Sequence, residues 1–147
     1  MKISTKGRYG VRFLMDLAVN GRNARVPLKK IAERQEISEK YLWQIVTPLK
    51  TAGLIRSVAG PGGGYALTRD PAHITLREIL EALEGDGGIV ACLPSPATCS
   101  RSNSCAAREI WRDVDQRIGS ALESFSLEEL ASKQLKLQES ESPSYVI

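Results

Sequence analysis

The sequence predicts a mainly α-helical fold with a small β-hairpin. Three observations support this prediction. Two short amphipathic helices follow each other between residues 27 and 53, a glycine-rich hairpin comes directly after them, and a long apolar stripe begins after residue 104. Together these features predict a winged helix-turn-helix followed by a long dimerisation helix.

The two short helices are predicted from apolar spacing. Leu28, Ile31 and Ala32 fall at i, i+3 and i+4, which predicts a helix over residues 27–35. Ser38 is a favourable N-cap for the next helix. Its apolar face consists of Leu42, Ile45, Val46 and Leu49. Pro48 lies within this helix and is expected to kink or shorten it, because proline cannot donate a backbone hydrogen bond.

The opposite face of the second helix predicts contact with DNA. It carries Lys40, Tyr41, Gln44 and Thr47. A recognition helix needs hydrogen-bonding and cationic groups near its N-terminus to reach base edges and phosphates in the major groove. The alternative interpretation is an ordinary solvated face of an amphipathic helix.

A glycine-rich hairpin follows the two helices. Residues 54–58 predict an apolar strand, residues 60–64 a turn almost without side chains, and residues 65–67 a return strand. The backbone of Gly62, Gly63 and Gly64 can approach phosphates closely. Its position directly after a helix-turn-helix identifies the hairpin as a wing.

Charge is distributed unevenly along the 147 residues. The net charge is +3, but residues 1–58 hold 12 Lys or Arg against 4 Asp or Glu, and residues 59–147 hold 8 against 13. A basic half attracts a polyanion through counterion release, so nucleic acid is the expected partner. The alternative is a solvated basic surface without a partner.

The chain has neither an apolar run of the roughly 20 residues that span a bilayer nor an N-terminal signal-peptide pattern. We therefore expect a cytoplasmic protein. In that reducing compartment, three cysteines indicate free thiols or metal ligands rather than disulfides.

Two further helices are predicted around the winged domain. Ser4 or Thr5 can cap a helix that runs to about Val19. Its expected buried stripe is Val11, Leu14, Met15 and Ala18. Thr75 and Glu78 form a capping box for a helix that contains Ile79, Leu80 and Leu83.

The longest periodic segment is predicted to be a dimerisation helix. Apolar residues alternate at spacings of three and four, at Trp111, Val114, Ile118, Ala121 and Phe125, and Ile110 and Leu122 widen this stripe. The alternative is that the helix packs on its own domain. A homodimer with two-fold symmetry can bind both halves of a pseudo-palindromic DNA site, which is a functional reason to expect dimerisation.

The predicted organisation has four parts. Residues 1–84 form the DNA-binding domain, residues 85–103 a cysteine-containing loop, residues 104–130 the dimerisation helix and a short cap helix, and residues 131–147 a flexible polar tail. Ser126 and Glu129 are expected to cap the short helix.

All three cysteines lie within fourteen residues of helix-poor sequence, at Cys92, Cys99 and Cys105. Three thiolates in one flexible loop suit a soft metal or an iron–sulfur cluster. Zinc is less favoured because no C-x-x-C pair is present. Oxidant-responsive free thiols or a reversible disulfide remain alternatives. A fourth ligand could come from His73, Glu109, a partner subunit or a small molecule.

These motifs together closely resemble the Rrf2 family of bacterial regulators, of the IscR-, NsrR- and CymR-like kind. The residues that carry the resemblance are Lys-Gly-Arg-Tyr-Gly at 6–10, Ser38 to Gln44, Gly-Pro-Gly-Gly-Gly-Tyr at 60–65 and the three cysteines. The resemblance implies a homodimeric winged-helix transcription factor in which Ser38, Tyr41 and Gln44 contact DNA. It also implies an iron–sulfur cluster on Cys92, Cys99 and Cys105, with 2Fe–2S favoured and 4Fe–4S open.

The chain departs from the family pattern at several positions. The first cysteine interval is six residues instead of five, Arg108 replaces a histidine ligand, and Arg8 replaces an acidic residue. Ala59 stands where many relatives have a wing arginine, so either Arg56 takes over that contact or the contact is lost. Trp43 replaces a glutamate that helps relatives discriminate between sites.

The predicted function is therefore transcriptional regulation, expected as repression, by a DNA-binding homodimer whose cluster senses iron, redox state or nitric oxide. A metal-free thiol sensor and a regulator controlled by a protein partner are the alternatives. An enzyme is not expected, because the chain has one histidine and no nucleophile and base pairing.

Overall fold

The computed structural model describes residues 2–22, 24–85 and 87–141. Its helices and strands, in chain order, are α1 (Thr5–Asn20), α2 (Leu28–Gln35), α3 (Glu39–Thr51), β1 (Ile55–Val58), β2 (Gly64–Leu67), α4 (Leu76–Glu84), α5 (Ala106–Glu123) and α6 (Leu127–Glu141). Single 3-10 turns occupy Pro71–His73, Pro96–Thr98 and Ser102–Ser104. The predicted fold class, mainly helical with a small β-hairpin, is confirmed.

Helix α1 forms the centre of the core. It packs against α2, α3, α4, β2 and α6. Leu14 and Ala18 of the predicted stripe are buried, while Val11 and Met15 are half-buried. Phe13 and Leu17 are also inaccessible, so α1 is covered on more sides than a single apolar stripe predicts.

The turn between α2 and α3 uses a left-handed residue. Glu36 has φ 54° and ψ 44° and ends α2, and its backbone N–H donates to the carbonyl of Ala32. Ile37 follows as a buried side chain, and the Ser38 hydroxyl oxygen then accepts a 3.1 Å hydrogen bond from the backbone N–H of Tyr41. These steps fix the direction in which α3 leaves the turn.

The expectation that Pro48 shortens α3 is wrong. The helix continues to Thr51, and the carbonyl of Pro48 accepts a 3.0 Å hydrogen bond from the N–H of Ala52. Proline removes the donor bond to Gln44, and its ring crowds the Gln44 carbonyl. The buried side chains of Ile45, Val46 and Leu49 pack in the core on both sides of that missing bond, which keeps the segment helical.

The wing is a two-stranded antiparallel sheet, and a residue just before α2 forms an isolated β-bridge with β2. Its register pairs Ile55 with Leu67 and Val58 with Gly64. Val26, just before α2, exchanges two 2.9 Å backbone hydrogen bonds with Tyr65. A Cβ atom on Gly64 would lie 2.3 Å from the Val26 carbonyl oxygen, so this close approach requires glycine.

The C-terminal helix differs from its prediction. The Ser126 cap is present, since its hydroxyl accepts from the N–H of Glu129 at 3.1 Å. However, α6 runs to Glu141, so the prediction of a short helix ending at residue 130 is wrong, and residues 131–141 of the predicted tail are helical. Leu127 and Ala131 of α6 are buried, and α6 packs against α1. Residues 142–147 of the predicted tail lie outside the described residues.

Helix α5 is the least covered of the described helices relative to its length. Gly119 is the one residue of its 18 that is buried. Three large apolar side chains on or next to it are 43–60% exposed: Ile110, Trp111 and Phe125. Within the described residues, no helix combines the length and apolar character that a membrane crossing requires.

Candidate functional site

The exposed face of α3 carries most of the predicted DNA-contacting side chains. Ser38, Lys40 and Gln44 are exposed, whereas Tyr41 is half-buried. The Ser38 oxygen accepts one hydrogen bond as the helix cap, so its hydroxyl proton and one lone pair remain for a DNA group. These polar side chains therefore lie on the outer face of α3, and their contact with DNA bases stays a prediction.

Tyr41 is held by the start of α1. Its ring meets the ring of Tyr9 edge to face, with centroids 5.5 Å apart and planes at 79°. The Arg12 guanidinium lies 5.2 Å from the centre of the Tyr9 ring and that of Arg8 lies 5.7 Å from it. This stack fixes one side of the recognition helix, so Tyr41 has a packing role beside its predicted contact with DNA.

A buried carboxylate sets the position of α2 against α1. Asp16 is 2% exposed and accepts hydrogen bonds from Arg34 Nε at 2.9 Å, from Arg34 Nη2 at 2.7 Å and from Gln35 Nε2 at 3.0 Å. The hydrogen bond to Asp16 raises the pKa of Arg34 above its ordinary value. The sequence reasoning missed this network, although Asp16 stands out as an acid between Met15 and Leu17 on an apolar helix.

Arg12 completes the connection between α1 and α2. Its Nε donates to the Gln35 side-chain oxygen at 3.2 Å, and its Nη2 donates to the Gln35 carbonyl. Arg12 therefore has a structural role, because it joins α1 to the end of α2 within the helix-turn-helix.

Trp43 projects from the recognition helix. Its side chain is 56% exposed, and it lies one position before Gln44 on the outward side of α3. Its backbone carbonyl accepts from the Thr47 hydroxyl at 3.4 Å, which directs that hydroxyl toward the helix. A large indole thus occupies position 43, which is one of the positions where this chain departs from the family pattern.

The wing tip is almost bare of side chains. Gly62 has φ +74°, a conformation that glycine adopts without strain, and Gly63 and Gly64 are half-buried. Arg56 and Ala59 are exposed. A side chain from another part of the chain reaches the tip, since Arg25 Nε donates to the carbonyl of Gly62. This arginine was not among the predicted site residues.

The cysteine loop lies against α5. Arg108 Nε donates to the backbone carbonyl of Cys92 at 3.1 Å, and Asp115 accepts from the backbone N–H of Ile89 at 3.1 Å. Within the loop, the Ser102 hydroxyl bonds the carbonyls of Pro96 at 2.6 Å and Cys99 at 2.9 Å. The backbone of this loop is thereby fixed to the helix predicted to make the dimer.

The three thiols are not gathered into a metal site. Cys99 is exposed, Cys92 and Cys105 are half-buried, and all three are free. Across residues 2–22, 24–85 and 87–141, no three side chains of the Cys, His, Asp or Glu types lie close enough together to hold a metal ion. The donor chemistry suits a soft metal, but this arrangement does not fit a cluster without movement of the loop.

The predicted fourth ligands, His73 and Glu109, do not join the cysteines in a group of metal-binding side chains among the described residues. His73 is exposed in the 3-10 turn that follows β2, and Glu109 is exposed in the first turn of α5. Arg108, which replaces the histidine of the family pattern, holds the Cys92 backbone instead. Ligation by His73 or Glu109 stays a prediction.

Comparison with known proteins gives one consistent result. A family model named Rrf2, described as an iron-dependent transcriptional regulator, matches residues 3–133. The HTH-type transcriptional regulator IscR of Xenorhabdus nematophila is 40% identical over 134 residues, which cover 91% of this chain and 81% of that protein.

Two solved structures are also similar. CymR, the global cysteine regulator of B. subtilis, has a TM-score of 0.74 and 39% identity, covering 90% of this chain and 98% of that chain. T. potens IscR has a TM-score of 0.72 and 34% identity, covering 99% and 94% respectively. These relatives are regulators rather than enzymes, so the prediction of a non-enzymatic protein is confirmed.

Proposed function

Because the chain belongs to the Rrf2 family of transcriptional regulators, we propose that it is a homodimeric DNA-binding regulator whose affinity for promoters depends on the state of its cysteine loop. The observation that carries the proposal is the exposed polar face of α3 beside a glycine-tipped wing. A recognition helix enters the major groove with such a face, while a wing follows the adjacent backbone. The protein acts in the cytoplasm, where its DNA lies.

The exposed apolar face of α5 supports a homodimer. Ile110 is 60% exposed and Trp111 is 43% exposed, on a helix that its own domain leaves largely uncovered. Several large apolar side chains exposed on one helix are typical of a subunit interface. Two copies joined along α5 present two recognition helices to a pseudo-palindromic site.

The dimer is tested by sedimentation equilibrium on the variant Ile110→Lys. We expect a shift from dimer to monomer, because a buried lysine ammonium has no partner at the centre of an apolar interface. Gln116→Lys adds the same charge at another exposed position of the same helix and serves as the control. A monomeric wild type, or a dimeric Ile110→Lys, would refute this interface.

The cysteine loop supports sensing because it contacts α5 directly. Hydrogen bonds from Arg108 to Cys92 and from Ile89 to Asp115 join the loop to that helix at 3.1 Å each. A change in loop conformation would alter the helix that spaces the two recognition helices. A tenfold change in the population of the binding state needs about 1.4 kcal/mol.

An iron–sulfur cluster is the favoured signal. The family description is iron-dependent, and Cys92, Cys99 and Cys105 supply soft thiolate donors. Since the thiols are not assembled, cluster binding would require rearrangement of residues 92–105. The proposal favours a 2Fe–2S cluster over a 4Fe–4S cluster, with a fourth ligand in addition to the three cysteines.

The test is a visible absorption spectrum with iron and sulfide assays on protein purified without oxygen. We expect broad visible bands that Cys99→Ala abolishes and Ser100→Ala, a neighbouring exposed change in the same loop, retains. DNA affinity of the cluster-loaded and cluster-free forms is then compared across a salt series. Equal affinities for every promoter would refute the switch.

A metal-free thiol sensor is the second candidate, favoured by the exposure of Cys99 and by similarity to CymR, the global cysteine regulator. It predicts colourless, iron-free protein that cannot be reconstituted with iron and sulfide. Peroxide followed by mass spectrometry would then reveal a reversible disulfide within residues 92–105. Absence of both cluster and disulfide would favour control by a protein partner, which co-purification from the native host would identify.

A further inference from the structure

A groove lined by arginines runs beside the wing. It has a volume of about 1110 Å³ and lies between the end of α1 with the loop that follows it, the β-hairpin, and the 3-10 turn at Pro71–His73. Its arginines come from three separate parts of the chain: Arg22, Arg25, Arg56 and Arg69. We refer to it below as the arginine groove.

Two of these arginines are already neutralised. Arg22 Nη2 lies 2.6 Å from a carboxylate oxygen of Glu128 on α6, and Arg69 forms an ion pair with Glu78 on α4. Among the described residues, no carboxylate pairs with Arg25 or Arg56. The uncompensated positive charge of the groove is therefore concentrated on its wing side.

Arg25 is held at the wing tip by a fixed backbone. The next residue, Val26, exchanges two 2.9 Å hydrogen bonds with Tyr65 of β2, so Arg25 cannot drift away from the hairpin. Its Nε donates to the Gly62 carbonyl, which uses one of five guanidinium donors and leaves the charge uncancelled. The remaining donors are available for an oxyanion.

From this arrangement we infer that Arg25 and Arg56 form a binding site for a DNA backbone phosphate beside the wing. The loop before α2 then belongs to the DNA interface. The inference rests on the proposed function. The tip itself is uncharged, with Ala59 and glycines, so Arg25 supplies from another part of the chain the cation that the tip lacks. A guanidinium fork matches two phosphate oxygens and is the preferred group for this contact.

The test is the salt dependence of DNA binding, measured by fluorescence anisotropy on a labelled duplex selected from genomic fragments. Each lost phosphate contact lowers the slope of log K against log salt by about 0.9. For Arg25→Gln we expect weaker binding at low salt, and a deficit relative to wild type that shrinks about threefold between about 50 and about 200 mM salt. Arg25→Lys keeps the charge and should largely restore the slope.

Arg22→Gln is the matched control. Arg22 lines the same groove but is paired with Glu128, so its removal should leave the slope unchanged. If Arg25 merely props the wing, Arg25→Gln would weaken binding equally at every salt concentration, and an unchanged slope would overturn the phosphate contact. A slope lowered equally by Arg22→Gln would overturn the selective role of Arg25.

Two other outcomes separate this inference from the proposal beneath it. If the wild type binds no DNA, the proposed function fails and the phosphate site fails with it. If Arg25→Gln has the same slope as the wild type, while inorganic phosphate at constant ionic strength weakens DNA binding of the wild type but not of Arg25→Gln, the groove binds a free anion. That result would overturn the backbone assignment while leaving DNA binding intact.

Discussion

Replacing Asp16 with asparagine should destabilise the protein by about 2 kcal/mol. This value lies between the cost of breaking an exposed ion pair, which is a fraction of a kcal/mol, and that of breaking a fully buried pair, which is about 3–5 kcal/mol. The Asp16 side chain is 0% exposed, but that of its partner Arg34 is 38% exposed. Water can therefore solvate the arginine when the carboxylate is neutralised, which lowers the cost. The asparagine NH₂ would also face donor groups of Arg34 or Gln35, so at least one of three hydrogen bonds is lost.

The assay is urea unfolding followed by circular dichroism at fixed protomer concentration, because a dimer makes stability depend on concentration. With a slope of about 2 kcal/mol per M urea, the midpoint should fall by about 1 M. Glu33→Gln is the control. It removes an exposed pair with Lys30 at 3.8 Å, with 62% and 54% of the two side chains exposed, and should change the midpoint little. An Asp16→Asn shift as small as that of Glu33→Gln would refute the reasoning.

Three further changes test the wing and the recognition helix. Ser38→Ala removes the cap on the N–H of Tyr41 and should cost about 1 kcal/mol in urea unfolding; an unchanged midpoint would contradict the cap. Gly64→Ala places a methyl group against the Val26 carbonyl and should cost about 1–3 kcal/mol, whereas a neutral effect would mean that the strands separate freely. Burial raises the pKa of Tyr65 above its ordinary value of 10.0, so the stability contributed by its neutral form is present below pH 10.0 and is lost as pH rises through the raised pKa. Tyr65→Phe should therefore flatten the alkaline fall in melting temperature, and pH profiles of equal steepness would exclude this cause.

The helix-turn-helix could be predicted from sequence because its signals are local. Leu42, Ile45, Val46 and Leu49 share one helix face, all four are buried as that spacing requires, and Ser38 caps the helix as expected. Short-range periodicity and capping depend only on residues a few positions apart. The same reasoning overestimated Pro48, because tertiary packing around Leu49 outweighs one missing hydrogen bond.

The features that were missed depend on contacts between distant segments. Helix α6 looks too polar to be ordered beyond residue 130, but Leu127 and Ala131 are buried against the rest of the domain, and the N–H of Leu127 bonds the Ile74 carbonyl at 2.8 Å. Arg25 and Gly62 are likewise 37 residues apart and show no local pattern that joins them. The cysteine loop was identified by composition alone. Composition gives donor type but not the arrangement of the thiols.

The most direct test of the central claim is selection of genomic DNA fragments by the purified protein, with sequencing of what is bound. The cluster-loaded or reduced wild type is compared with the cluster-free or oxidised form and with Cys99→Ala. We expect a small set of fragments that share a two-fold symmetric sequence, with an enrichment that changes with the state of the cysteine loop. Enrichment no greater than that of random fragments in every state would contradict the assignment as a sequence-specific, loop-controlled regulator.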